Sequence, residues 1–315
     1  MLALVAMACE SSASDVSPVP PLEGVLWHGS TPAPTARSEV AAASDGSRIV
    51  VVGGFLEDGR TLPTVEVFEP STSSWSAGPD LPVAVNHPMA AGLDGIVYVF
   101  GGYLGPGLTN PTDRVFALVE DGWDEMPRMP EPRGAGGAAA VDGRIYVAGG
   151  VGPSGLAESM LVFDPEAGRW STEEGPPTPR EHLGVTAASD GVYVLGGRTG
   201  GIGSDLRATE RFVVEEGRWE RLESMPAARG GVSAAAAGDL VVVAGGEADV
   251  AFADAFAFEV DRERWLGLPP MSVPRHGLAL VSVGRTVFAI AGGTEPGLSV
   301  SDEIEAIDLS SSGPA

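Results

Sequence analysis

Lysine is absent from this 315-residue chain, so its 19 basic residues are all arginine, set against 43 acidic ones for a net charge of −24. A field of that sign repels nucleic acid and anionic membrane surfaces, and neither is expected as a partner. Cysteine occurs once, as Cys9, which excludes an internal disulfide and any metal cluster built on thiolates. The four histidines, His28, His87, His182 and His276, show no HxH or HExxH spacing; neither a metal nor a cofactor is expected on that ground. Long apolar runs are also missing, as no stretch approaches the roughly 18 residues of a membrane helix. Nor is there a sustained helical period.

The apolar run that does exist is short and lies at the start. Residues 2–8 are apolar and precede Cys9 and a Ser/Pro-rich stretch. Ala8 before the cysteine resembles the end of a bacterial lipoprotein signal. That resemblance implies export, with Cys9 as the lipid attachment point and the protein in the cell envelope, the periplasm or outside the cell. Residues 1–23 then read as a signal-like segment and flexible tether, 24–310 as one domain and 311–315 as a disordered tail.

Between those ends, 44 glycines and 26 prolines punctuate the chain regularly. Double glycines stand at Gly53-Gly54, Gly101-Gly102, Gly149-Gly150, Gly196-Gly197, Gly245-Gly246 and Gly292-Gly293, 47 to 49 residues apart. All six tryptophans, Trp27, Trp75, Trp123, Trp170, Trp219 and Trp265, keep the same beat. A phenylalanine precedes each of the last five by seven residues. Each unit reads as four short strands: a small-residue strand such as GGAAAV (136–141), a tight turn, a β-branched strand ending in Gly-Gly, a strand carrying Phe, and one carrying Trp. Four turns contain Asp-Gly (Asp45-Gly46, Asp94-Gly95, Asp142-Gly143, Asp190-Gly191), a strong hairpin signal. Gly238-Asp239 and Gly284-Arg285 replace it in the last two units, where the turns are expected to differ.

Three features on one period define a repeat architecture. Strand–Gly-Gly, aromatic, then Trp at this period resembles the Kelch repeat over about residues 24–309. The resemblance implies an all-β, six-bladed β-propeller with four antiparallel strands per blade. The last unit lacks a Trp strand, so GVLWHG (24–29) is expected to complete it, with Ile307 in the Phe position. That closure removes an exposed sheet edge.

Function is expected on the face bearing the strand 2–3 and 4–1 loops, which are longer and more varied: 55–63, 103–112, 151–158 and 198–205. The opposite face has short turns. Arg37, Arg133, Arg180 and Arg229 each lie 16 residues before the first glycine of a pair, Arg275 lies 17 before, and Val85 takes the place in the second unit. Two readings are open. The arginines form a ring at the channel mouth able to hold a carboxylate or phosphate, or each ties its own blade to the next through backbone carbonyls or a carboxylate. His87, Tyr103, His182, Arg198, Glu247 and His276 break the repeat on the same face and complete the candidate ligand-binding set. The resemblance implies a non-catalytic module that binds a protein or a carbohydrate, and a monomer is expected. The alternative is an enzyme similar to the periplasmic sialic-acid mutarotase, with Glu181, His182 or Glu247 as acid and base and the arginines as carboxylate anchor. Copper chemistry like that of galactose oxidase is excluded, because it needs a Tyr–Cys cross-link.

Overall fold

β-Branched and aromatic residues in runs of four or five, bounded by glycines, favour strands. In the computed structural model, which describes residues 16–310 except Asp121, Ser189 and Asp190, they form six four-stranded antiparallel sheets and two short two-stranded ribbons. The helical element among the described residues is a single 3-10 turn, Val260–Arg262. Each sheet is a blade. The inner strands, in order around the ring, are Ala41–Ser44, Met89–Leu93, Gly137–Val141, Gly184–Ala188, Gly230–Ala237 and Ala279–Val283. They surround a central channel of about 480 Å³.

Small residues on the inner strands are a steric requirement. A Cβ at Gly92 would lie 1.9 Å from the Ser44 carbonyl oxygen of the neighbouring blade, and one at Gly137 would lie 2.5 Å from Val185. Farther out the blades diverge, and six apolar clusters fill the six gaps between neighbours. At the outer edge, Trp75, Trp170, Trp219 and Trp265 lie against Phe68, Phe163, Phe212 and Phe258, with ring centroids 4.8–5.3 Å apart, and all six tryptophans donate Nε1–H across a gap. Trp75 reaches Thr31 O, Trp123 Pro79 O, Trp170 Pro127 O, Trp219 Glu174 O, Trp265 Glu223 O and Trp27 Pro269 O, at 2.7–2.9 Å. Every acceptor lies at or just past the outer strand of the preceding blade, so these bonds run round the whole ring.

The double glycines end the second strands at the blade-to-blade contact. Gly149 and Gly150 have φ of 64° and 89°, a region that side chains disfavour. A Cβ there would meet the Arg180 and Gly134 carbonyls at 2.8 and 2.6 Å. In the last blade the equivalent pair is Ala291-Gly292, with φ of 57° and 102°, while Gly293 has left that region. The expected pair is thus shifted by one residue, and Arg275 keeps the common spacing of 16 when measured to Ala291.

The ring closes as expected. Trp27–Gly29 pairs with Ile304–Asp308 as the outer strand of the sixth blade, with Trp27 opposite Ile307. Three local expectations need correction, and one register departs from the common pattern. Asp45-Gly46 is no two-residue hairpin: Ser44 pairs with Ile49, and the four-residue loop is held by the Asp45 carboxylate on the Ser47 and Arg48 amides. Gly191 belongs to a strand, paired with Ala188, and is no turn residue; Asp190 lies outside the described residues. Phe116 faces Glu125, and Leu118 faces Trp123, because the turn in that blade is two residues shorter than the one between Asp164 and Arg169. Residues 17–22 are docked on blade five and are no free tether. Leu22 N donates to Gly267 O, Gly267 N donates to Pro20 O, and Ser17 N donates to Pro226 O. Cys9 and residues 311–315 lie outside the described residues.

Candidate functional site

The loop face is organised around the residue two places after each position of the arginine series. Those six residues are Glu39, His87, Ala135, His182, Gly231 and Gly277, and all have φ between 49° and 68°. That conformation is uncommon for residues other than glycine. It turns each amide toward the neighbouring blade. Glu39 N donates to Gly277 O, His87 N to Glu39 O, Ala135 N to His87 O, His182 N to Ala135 O, Gly231 N to His182 O and Gly277 N to Gly231 O, at 2.8–3.1 Å. A closed ring of six backbone hydrogen bonds therefore encircles the axis at the mouth of the channel.

A second pair of positions builds outward from this ring. The residue after each arginine bridges to the residue after the glycine pair: Ser38 to Phe55, Asn86 to Tyr103, Gly134 to Val151, Glu181 to Arg198, Gly230 to Glu247 and His276 to Gly293. In these eighteen repeat-equivalent places, the polar side chains meet on one part of the rim. His87 Nε2 lies 3.1 Å from Glu39 Oε2 and 3.0 Å from His182 Nε2. His182 Nδ1 contacts Glu181 Oε2 at 2.7 Å, and Glu181 Oε1 accepts from Arg198 Nε at 3.0 Å. Arg198 Nη1 donates to Glu247 Oε1 at 3.0 Å. His276 Nδ1 stands 3.6 Å from Glu247 Oε2 and 3.3 Å from Glu39 Oε1, closing the circuit. Glycine at 277 makes room for it, since a Cβ there would be 2.4 Å from Glu39 Oε1.

Burial and mutual proximity set the charges of this circuit. Burial pushes the Glu39 carboxyl upward, but His87, His276 and His182 outweigh it and hold it well below the usual carboxylate range. Burial depresses His87 to about 4 despite the neighbouring Glu39. His276 is raised: burial opposes its charge, but Glu39, Glu247 and the Glu295 carbonyl favour it. Glu181 is lowered, with burial overcome by His182 and Arg198. Tyr103, buried beside His87, is raised first by burial and then by Glu181.

Two comparisons with known proteins match the chain. The KLHDC2/KLHL20/DRC7 Kelch-repeats domain matches residues 23–174, and the Kelch motif matches residues 179–226. The chain is built of Kelch repeats. No curated protein matches it.

Within the Kelch propeller the predicted site residues divide into two groups. Arg37, Arg133, Arg180, Arg229 and Arg275 are at most 1% exposed, and their guanidinium groups turn into their own blades. Arg37 donates to the Gly53 and Thr64 carbonyls and to Glu66. Arg180 donates to Val194 O and Glu210, and Arg275 to Ala289 O, Glu303 O and Glu305. Arg133 holds Ser159 through its carbonyl and hydroxyl. Arg229 pairs with Asp254 and lies 3.5 Å over the Phe252 ring. These five do not line the mouth, and their guanidinium groups bond within single blades, so they form neither a cation ring nor ties from one blade to the next. His87, Tyr103, His182, Arg198, Glu247 and His276 do converge at the axis, together with Glu181.

Sequence reasoning missed Glu39 and Asn86. Both follow from aligning the places one and two after each arginine across the repeats. The histidines have no metal-ligand spacing in the chain, but the ring brings His87 and His182 from two blades to Glu39 of a third, with their donor atoms within 4.8 Å of one another.

Proposed function

We propose that this Kelch propeller is a non-catalytic binding module that recognises a protein partner through its loop face. One observation carries the reading. Among the described residues, six large apolar side chains are exposed, and four of them, Leu108, Ile202, Val250 and Leu298, project from the strand 2–3 loops of blades two, four, five and six. Apolar tips arranged around a polar centre suit a macromolecular surface, because burying them adds affinity while the centre sets orientation. The mutarotase alternative finds less support. Its carboxylate anchor would be the five arginines, whose guanidinium groups are already bonded inside the blades, and Arg198 is held between Glu181 and Glu247.

Placement in the cell envelope belongs to the same proposal and rests on the apolar residues 2–8 followed by Cys9. One experiment in the producing cells addresses both parts. The full chain and a variant with Leu108→Ser, Ile202→Ser, Val250→Ser and Leu298→Ser are cross-linked in place, and the adducts are compared. Loss of adducts from the variant at unchanged melting temperature is expected, and equal adducts would overturn the loop-face reading. In the same cells Cys9→Ser should release the protein from the membrane fraction, and unchanged membrane recovery would overturn lipid attachment.

A further inference from the structure

The hydrogen-bond geometry around His87 and His182 leaves a place that a proton or a metal ion can fill. Asn86 Nδ2 donates to Thr61 Oγ1, Tyr103 O and Gly105 O. That fixes the amide with Oδ1 turned to His87 Nδ1 at 2.8 Å, so this ring nitrogen carries the hydrogen. On His182 the partner of Nδ1 is the Glu181 carboxylate, already held by Arg198; it accepts, so Nδ1 again carries the hydrogen. In a neutral imidazole the other nitrogen is then a bare acceptor. With both rings neutral, two Nε2 lone pairs face each other at 3.0 Å, with Glu39 Oε2 3.1 Å from one of them. Three acceptor atoms then stand within 4.8 Å of one another.

We propose that Glu39, His87 and His182 form a binding site for one divalent first-row transition ion, with zinc the first to test, on the propeller axis at the loop face. Zinc binds imidazole nitrogen and carboxylate oxygen at about 2.0–2.2 Å, so neighbouring ligand atoms stand about 3 Å apart, as His87 Nε2 does from both His182 Nε2 and Glu39 Oε2. Each histidine has its second nitrogen oriented by an oxygen acceptor, the outer support that metal-binding imidazoles characteristically have. Imidazole donors favour a transition ion over Ca²⁺ or Mg²⁺, which take oxygen ligands. The local charge agrees: Glu39, Glu181 and Glu247 face Arg198 and His276, an excess of negative charge in a buried place. The three ligands also line the end of the channel, from which water would complete the coordination.

The test uses the full chain, dialysed against a chelator and titrated calorimetrically with ZnCl₂ and CoCl₂, with the Co²⁺ absorption bands recorded. One ion per chain is expected. His87→Ala and His182→Ala should weaken Zn²⁺ binding at least 100-fold, while His28→Ala, on the exposed outer strand, binds as the parent does. Ca²⁺ and Mg²⁺ should give no saturable heat. Should the alanine variants fail to fold by near-ultraviolet circular dichroism, Glu39→Gln replaces them, with a weakening of 10-fold or more expected. Absence of stoichiometric Zn²⁺ binding by the folded parent, or unchanged affinity in the ligand variants, overturns the proposal.

Discussion

At Arg180 a guanidinium with no exposed surface bonds Glu210, which is also buried, and the Val194 carbonyl. Removing one partner of such a pair leaves an unpaired buried charge, which costs about 3–5 kcal/mol. Arg180→Ala should lose stability by about that amount in urea unfolding. Arg60→Ala, which breaks an exposed pair with Asp58, should leave the urea midpoint in place. The recurrence of arginine was legible in the sequence, but its direction was not. A residue just before an inner strand can turn toward the axis or back into its blade, and spacing alone does not distinguish the two. The distinguishing signal was the acid on the third strand, Glu66, Glu210 or Glu305, 29 or 30 residues downstream. The polar centre was half legible for a similar reason: His87, His182 and His276 stood out as departures from the repeat, whereas Glu39 looked like one more acid among 43.

Among elements, the outer strands do two tasks with one residue. Trp219 lies against Phe212, with ring centroids 5.3 Å apart, and its Nε1–H crosses to Glu174 O. Trp219→Phe keeps most of the apolar contact and drops the cross-blade bond, for a loss of about 1 kcal/mol. Trp219→Ala removes both and should cost clearly more in the same denaturant titration. A phenylalanine variant as stable as the parent would show that the bond adds nothing. Strand identity was legible throughout, since Gly-Gly and Trp keep one period. Register was less so. Phe116 precedes Trp123 by the common seven residues, yet a turn two residues shorter puts Leu118 opposite the tryptophan. Period-two strands conceal such a slip, because a shift of two keeps every side chain on its own face.

For the whole molecule, six gaps filled by six apolar clusters make each blade dependent on both neighbours. The strand at Trp27–Gly29, supplied from the other end of the domain, completes that circle. The backbone ring at the mouth joins all six blades in series. Hydrogen exchange should therefore show the amides of Glu39, His87, Ala135, His182, Gly231 and Gly277 opening together, at one common and slow rate. Rates spread over orders of magnitude would show that the links open one at a time.

Those six links all run in the same rotational sense, each residue donating to the blade before it. Head-to-tail dipoles on a closed circle largely cancel, while each bond polarises the next. Every one of these amide hydrogens is occupied inside the circle, so the backbone rim offers none of them to a solute in the channel. What stands at the rim instead is oxygen, from the Glu39 carboxylate. An anion arriving at the axis finds none of these six amides free, whereas a cation meets the Glu39 carboxylate: the mouth discriminates by sign of charge.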